Sequence, residues 1–355
     1  MTTTLDTTRS QAFAERAFGM VNGGFLSMML SVGHRTGLFD ALAALPPSTS
    51  EQIATAAGLN ERYVREWLGA MVTGGIVQFD PAARAFSLPP EHAAALTRAA
   101  GPDNLAELAQ LVSLLAQVET AIVDVFRNGG GVPYSAFHRF HELMAESSRT
   151  TLEATLINRT LPLVPKLIER LEAGIDVADV GCGAGVAILM MAQRFPRSRF
   201  TGFDIAAEAI ATARQNAAAL GLTNAQFVVQ DAAQVSAPSA FDFITAFDAI
   251  HDQAAPRRVL RAIQQALRPG GVFLMVDIAT SSHLERDVNN PFAPFLYTVS
   301  TMHCMTVSLA AGGEGLGACW GEEKARELLA EAGFTSVDVS RVDGDPFNGY
   351  YVCRT

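Results

Sequence analysis

The chain is 355 residues long, 49% apolar and 17% charged, with a formal net charge of -10 at neutral pH. That length can bury one large core or two moderate ones. The acidic balance argues against broad binding to a phosphate backbone, which needs clustered Lys and Arg, and leaves a small molecule or another protein as partner. Cys182, Cys304, Cys319 and Cys353 are widely spaced, with no C-x-x-C pair and no zinc-type cluster, so they read as reduced thiols and no metal is expected. The polar start MTTTLDTTRSQ lacks the apolar core of a signal peptide, and every apolar run is interrupted before the roughly 18 residues of a membrane span. A cytoplasmic protein without membrane contact is expected.

From Ala12 to about Ala100 the pattern is of short helices followed by a brief extended piece. Ser48 to Ser50 offer caps for a helix ending at Ala57, Gly58-Leu59-Asn60 turns the chain, and a second helix runs from Glu61 to about Val72, where Gly74-Gly75 stop it. IVQFD and AFSLP around the turn PAAR then read as a two-stranded wing, which makes residues 1–100 a winged helix-turn-helix domain. Such a domain can bind DNA or make a dimer. With seven Arg against eight Asp and Glu, and a second helix that alternates Glu61, Arg62, Arg65 and Glu66, no basic stripe exists. A homodimer through this domain is expected, and nucleic acid is not.

Residues 101–174 read as a helical linker, interrupted at RNGGGVP. In YSAFHRFHELMAE, His138 and His141 stand three apart, which on a helix puts them on one face like half a metal site. No HExxH spacing or carboxylate pattern accompanies them. The expectation is that Tyr134, Phe137 and His138, with His141, border a substrate pocket.

From Ile175 to Thr355, apolar strands alternate with helices, which predicts an α/β fold: a Rossmann-like parallel sheet covered on both faces. SVDVSRV and GYYVCRT near the end are expected to add an antiparallel hairpin at its edge.

The stretch DVGCGAG, Asp179 to Gly185, follows an apolar strand and opens a helix. Gly181, Gly183 and Gly185 let the backbone turn sharply and approach a ligand, with Cys182 between them. Val186 stands where a dinucleotide fingerprint would need its third glycine. Nineteen residues on, Asp204 ends the next strand, followed by Ile205, where a carboxylate can accept two ribose hydroxyls. Asp231, followed by Ala232, ends the third. The set DVGCGAG, FDI and QDA at successive strand ends resembles the S-adenosylmethionine site of class I methyltransferases. The resemblance covers about 175–355 and implies S-adenosylmethionine as cofactor and S-adenosylhomocysteine as product.

In an open parallel sheet the ligand lies across the carboxyl ends of the strands, so FDFITAF delivers DAIHD beside it. Phe247 or Asp248 is expected to face the methionine end of the cofactor. His251, as an imidazole, suits removal of a proton from a hydroxyl acceptor, with Asp252 orienting it; substrate contact without base chemistry and a purely structural role are the other readings. The run from Ala249 to Ile278 is similar to small-molecule O-methyltransferases of plant and polyketide-tailoring type, in which a histidine followed by aspartate is the general base. Gln253 stands where those enzymes usually have tryptophan. The overall likeness is to bacterial, notably mycobacterial, winged-helix methyltransferases.

Residues 281–320 exceed a plain connection and read either as a helix packed on the sheet or as a lid, with Phe295, Met302, His303 and Trp320 facing the acceptor in the second reading. GGEGLG, Gly312 to Gly317, follows no apolar strand and reads as a flexible lid or hinge. These features imply methyl transfer to a small, largely apolar acceptor, through oxygen with His251 as base. N- or S-methylation without a base and a cofactor-sensing winged-helix regulator are the alternatives.

Overall fold

The computed structural model describes residues 5–235 and 237–355. They form two compact units, divided between Ala116 and Gln117.

In the first unit the expectation of short helices is corrected by one long helix, Thr7–Thr36, capped by the Asp6 carboxylate on the Arg9 amide at 3.0 Å and ended by Gly37. It runs through Gly19, Gly23 and Gly24, each of which costs about 1 kcal/mol relative to alanine in a helix interior. A Cβ at any of the three would meet nothing within 4 Å, so packing within the chain does not require them. Phe18, Val21, Phe25, Met28 and Val32 fall on one stripe of this helix by spacing, and all five are exposed.

The winged helix-turn-helix follows at the expected places. Thr49 and Gln52 form a capping box at the start of Ser50–Ala57, and Asn60 caps Glu61–Thr73. Strand β1 (Gln78–Asp80) pairs antiparallel with β2 (Ala85–Ser87). Phe39, Ile53, Trp67, Leu68 and Met71 make the core. On Glu61–Thr73, Arg62 is paired with Glu66, and Arg65 with Glu61 at 3.3 Å.

The second unit is built on seven strands: β3 (Asp176–Val180), β4 (Arg199–Asp204), β5 (Ala225–Val229), β6 (Phe241–Phe247), β7 (Leu267–Ile278), β8 (Ser336–Val342) and β9 (Asp345–Arg354). Their order is β5-β4-β3-β6-β7-β9-β8. The pairs from β5 through β7 are parallel, and β9 is antiparallel to both β7 and β8. The C-terminal hairpin lies at the sheet edge as expected, with β9 against β7 and β8 outermost.

Near-continuous apolar strands are explained by burial on both faces. Along β7, Val272, Leu274 and Val276 join one core with Ile188, Met191 and Phe195, while Phe273 and Met275 join the other with Ile263, Leu328 and Trp320. By the same alternation Asp277 belongs to the Trp320 side. The strand order reverses at β3, with β4 on one side and β6 on the other, which leaves a crevice at the carboxyl ends of these strands.

Among the described residues, no single helix is long and apolar enough to cross a membrane.

Candidate active site

Gly181, Gly183 and Gly185 all have positive φ, at 73°, 52° and 79°. A Cβ on Gly181 would run into Ala249, and one on Gly185 would lie 2.5 Å from the Phe227 ring. At Gly183 it would meet nothing within 4 Å, so the middle of the loop faces open space. The Gly183 amide donates to Asp204 Oδ2 and the Ala206 amide to Oδ1, each at 2.8 Å. A carboxylate has about four acceptor sites, and these bonds use two. Asp231 caps Ala232–Gln234, accepting from the Ala233 amide at 2.8 Å and from Gln234 Nε2 at 3.2 Å.

Asp179 lies opposite Thr245 in the β3/β6 register and accepts its hydroxyl at 2.7 Å. Burial pushes its carboxyl up to about 7, with the Thr245 bond opposing and the charge of Asp204 adding. Burial, then the charges of Asp179 and Asp204, also raises the Cys182 thiol. Ala232 is buried, Phe247 half-buried and Ile205 exposed. Asp248 has φ 49° and accepts from Asn348 Nδ2 at 3.3 Å. Desolvation first, then the charge of Asp277, raises its carboxyl, against the charge of His251 and the hydrogen bond from Asn348.

His251 is 4% exposed. Its Nδ1 lies 2.7 Å from Asp277 Oδ1, and the same oxygen accepts Trp320 Nε1 at 3.0 Å and the Ile278 amide at 2.8 Å. Burial works against charge on the imidazole but is outweighed by Asp277, with the Cys304 thiol acting in the same direction, so its pKa is raised. With Nδ1 donating to Asp277, Nε2 carries the lone pair in the neutral ring.

This corrects the expectation for Asp252. The carboxylate on His251 is Asp277, because the parallel register puts Phe247 beside Val276 and so brings the two strand ends together. Asp252 instead accepts the Tyr134 hydroxyl, and burial raises its carboxyl to about 6, against the pull of His251 and of that hydrogen bond.

Tyr134 belongs to an aromatic group with Phe137, Phe140, His141 and His303. His138 is exposed and makes no ring contact among the described residues. The face shared by His138 and His141 does not form, because the helix begins only at Phe140, after Arg139 at φ 69°. Phe295 packs on Phe347 at 5.8 Å, Met302 is half-buried, and Trp320 is spent on Asp277 rather than on an open wall.

GGEGLG is no free hinge. The Glu314 amide donates to the Ala254 carbonyl and the Gly317 amide to the His251 carbonyl, both at 3.1 Å, and a Cβ on Gly313 would collide with Ala254. The glycines allow this strap to lie directly on the loop that carries His251. Asp277 and Phe140 were not anticipated. An acid closing the otherwise apolar GVFLMVDI was a usable signal for Asp277; nothing in the local pattern distinguished Phe140.

Residues 24–98 match the family model for the Rv2258c-like winged HTH domain, and residues 171–333 that for a methyltransferase domain. A ubiquinone biosynthesis O-methyltransferase of Leptothrix cholodnii is 31% identical over 104 residues, which is 28% of this chain and 43% of that protein. The chain thus spans about two fifths of the length of the curated relatives it matches. Human N-acetylserotonin methyltransferase, solved with S-adenosylmethionine, superposes with a TM-score of 0.70 at 19% identity, covering 100% of this chain and 99% of the other. An O-methyltransferase family protein from Burkholderia thailandensis gives 0.66 at 16% identity, covering 99% of each.

Proposed function

We propose that this chain, in which residues 24–98 belong to a winged helix-turn-helix family and residues 171–333 to a methyltransferase family, moves the methyl group of S-adenosylmethionine to an oxygen of a small, largely apolar acceptor. The observation that carries this reading is the buried His251–Asp277 pair, at 2.7 Å, on strand ends that continue the crevice of the glycine loop.

The residues present suit the cofactor. The loop is open at Gly183, and Asp204 and Asp231 each keep about two acceptor sites, as ribose hydroxyls and an adenine amino group require. Asp179, Cys182, Ile205, Ala232, Phe247 and Asp248 complete its surroundings in this reading. When bound, the cofactor supplies an activated methyl on a sulfonium. The chain's part is to hold the acceptor in line, keep water out and take up the hydroxyl proton at His251 Nε2. Asp277 fixes the tautomer and stabilises the imidazolium that results, and Trp320 and the Ile278 amide hold Asp277.

Calorimetric titration with S-adenosylhomocysteine tests the reading. The chain is expected to bind it, and Asp204→Ala to weaken binding by about 10- to 100-fold, the worth of a charge-assisted hydrogen bond. Failure of the unaltered chain to bind would remove the central claim.

The first unit serves dimerisation in this reading. The exposed stripe from Phe18 to Val32 needs a partner surface, while the arginines of Glu61–Thr73 are paired with their own helix's acids and offer little to phosphate. Sedimentation should give a dimer, and the double variant Phe18→Glu, Phe25→Glu a monomer; a double variant that stays dimeric locates the interface elsewhere.

A further inference from the structure

The helix Ala293–Val299 passes through a π turn, Ser300–Cys304, before α geometry resumes at Met305–Ala310. A π turn inserts one residue and redirects the side chains after it, and such turns are frequent at functional sites. This one carries His303, which is 2% exposed. Its ring lies 3.9 Å from Phe140 and is tilted from it by only 14°, while Phe137 and Tyr134 meet it edge-on at 4.6 and 5.2 Å. The plane of the imidazole is therefore fixed on several sides.

Within this apolar box, His303 Nε2 is buried and has no hydrogen-bond partner among the described residues. A buried polar atom left unmatched is unfavourable, and a ligand group that reached this nitrogen would gain the hydrogen bond. Burial, followed by the charges of His251 and His141, lowers the pKa of His303 to about 3 and keeps the ring neutral. A neutral imidazole can donate or accept. Tyr134 links this box to the reaction centre, since its ring borders His303 and its hydroxyl is bound by Asp252, next in the chain to His251.

We propose that His303 Nε2 hydrogen-bonds a second polar group of the acceptor, making His303 a specificity-determining residue and the acceptor an uncharged aromatic with two polar substituents, one for His251 and one for His303. This rests on the methyltransferase reading above. The aromatic walls favour a ring. The carboxylates of Asp204, Asp252 and Asp277 disfavour an anion. In the two segments that form the box and the His251 loop, 131–141 and 246–254, Arg139 is the only Lys or Arg, and Glu142 binds it at 2.9 and 3.0 Å.

Titration of the full chain saturated with S-adenosylhomocysteine tests the proposal, using phenol against its three dihydroxy relatives, catechol, resorcinol and hydroquinone. At least one diol is expected to bind about tenfold or more tightly than phenol, as a matched buried hydrogen bond provides. His303→Phe should abolish that preference and leave phenol within about twofold, and His303→Gln should restore part of it. The proposal is overturned if no diol exceeds phenol in the unaltered chain, a comparison that needs no variant to fold, or if His303→Phe leaves the preference intact. If S-adenosylhomocysteine binds and none of the four phenols does, the acceptor class is wrong while the methyltransferase reading stands. If S-adenosylhomocysteine itself does not bind, both fall.

Discussion

Replacing His251 with alanine is expected to lower kcat by about 10²- to 10⁴-fold, the usual worth of a positioned proton acceptor, while leaving the affinity for S-adenosylhomocysteine within about twofold. A phenolic hydroxyl with its ordinary pKa near 10 is almost wholly protonated at neutral pH, so its attack on a methyl group depends on a group that removes the proton. His251 is suited to this by direction as well as by type, because the Nδ1 bond to Asp277 leaves Nε2 as the lone-pair nitrogen. Single-turnover kinetics with the cofactor prebound separates chemistry from binding. An unchanged rate would reject base catalysis and favour a nitrogen or sulfur acceptor, which attacks through a free lone pair.

Asp277→Asn is expected to be nearly as severe, about 10²-fold or more in kcat. The amide preserves volume but lacks the charge that raises the His251 pKa, and it can stabilise the wrong tautomer, the failure known from serine-protease triads. The pH profile carries the sign. A base acts when deprotonated, so in the unaltered chain kcat should climb with pH through the raised pKa of His251, above its ordinary 6.5. Without Asp277 the ring keeps its burial and the Cys304 thiol but loses the charge that raises its pKa most, so the rising limb moves to lower pH. Stability follows the same linkage: a raised histidine pKa in the folded state stabilises fully below about 6.5, and the contribution is lost as pH rises through the folded value. Asp277→Asn should therefore lower the melting temperature more below about pH 6.5 than at a pH above the titration of His251 in the folded chain. A limb that does not move would show that His251 and Asp277 do not titrate as a pair.

What could be read from the residues alone was whatever depends on short range. The two helices and wing of the first unit followed from Thr49, Asn60 and the Gly74-Gly75 stop, since caps and turns are decided within a few residues. The glycine loop, Asp204 and Asp231 were legible because each sits where an apolar strand ends, and parallel strands place all such ends along one edge. His251 was located for the same reason. The long helix Thr7–Thr36 was missed because three glycines normally argue for breaks, and the helix persists through them.

The sequence by itself thus determined the α/β class, the winged helix, the glycine loop after an apolar strand and the position of His251 just past the end of the fourth parallel strand. Tertiary structure decided which groups meet there. Asp277 reaches His251 across 26 positions through the β6/β7 register, Tyr134 reaches Asp252 across 118, and the π turn sets His303 among Phe140, Phe137 and Tyr134. Adjacency in the chain had favoured Asp252 for His251 and had paired His138 with His141. Hydrogen bonds form between atoms a few ångströms apart in space, and only strand register and the true start of a helix fix which atoms those are.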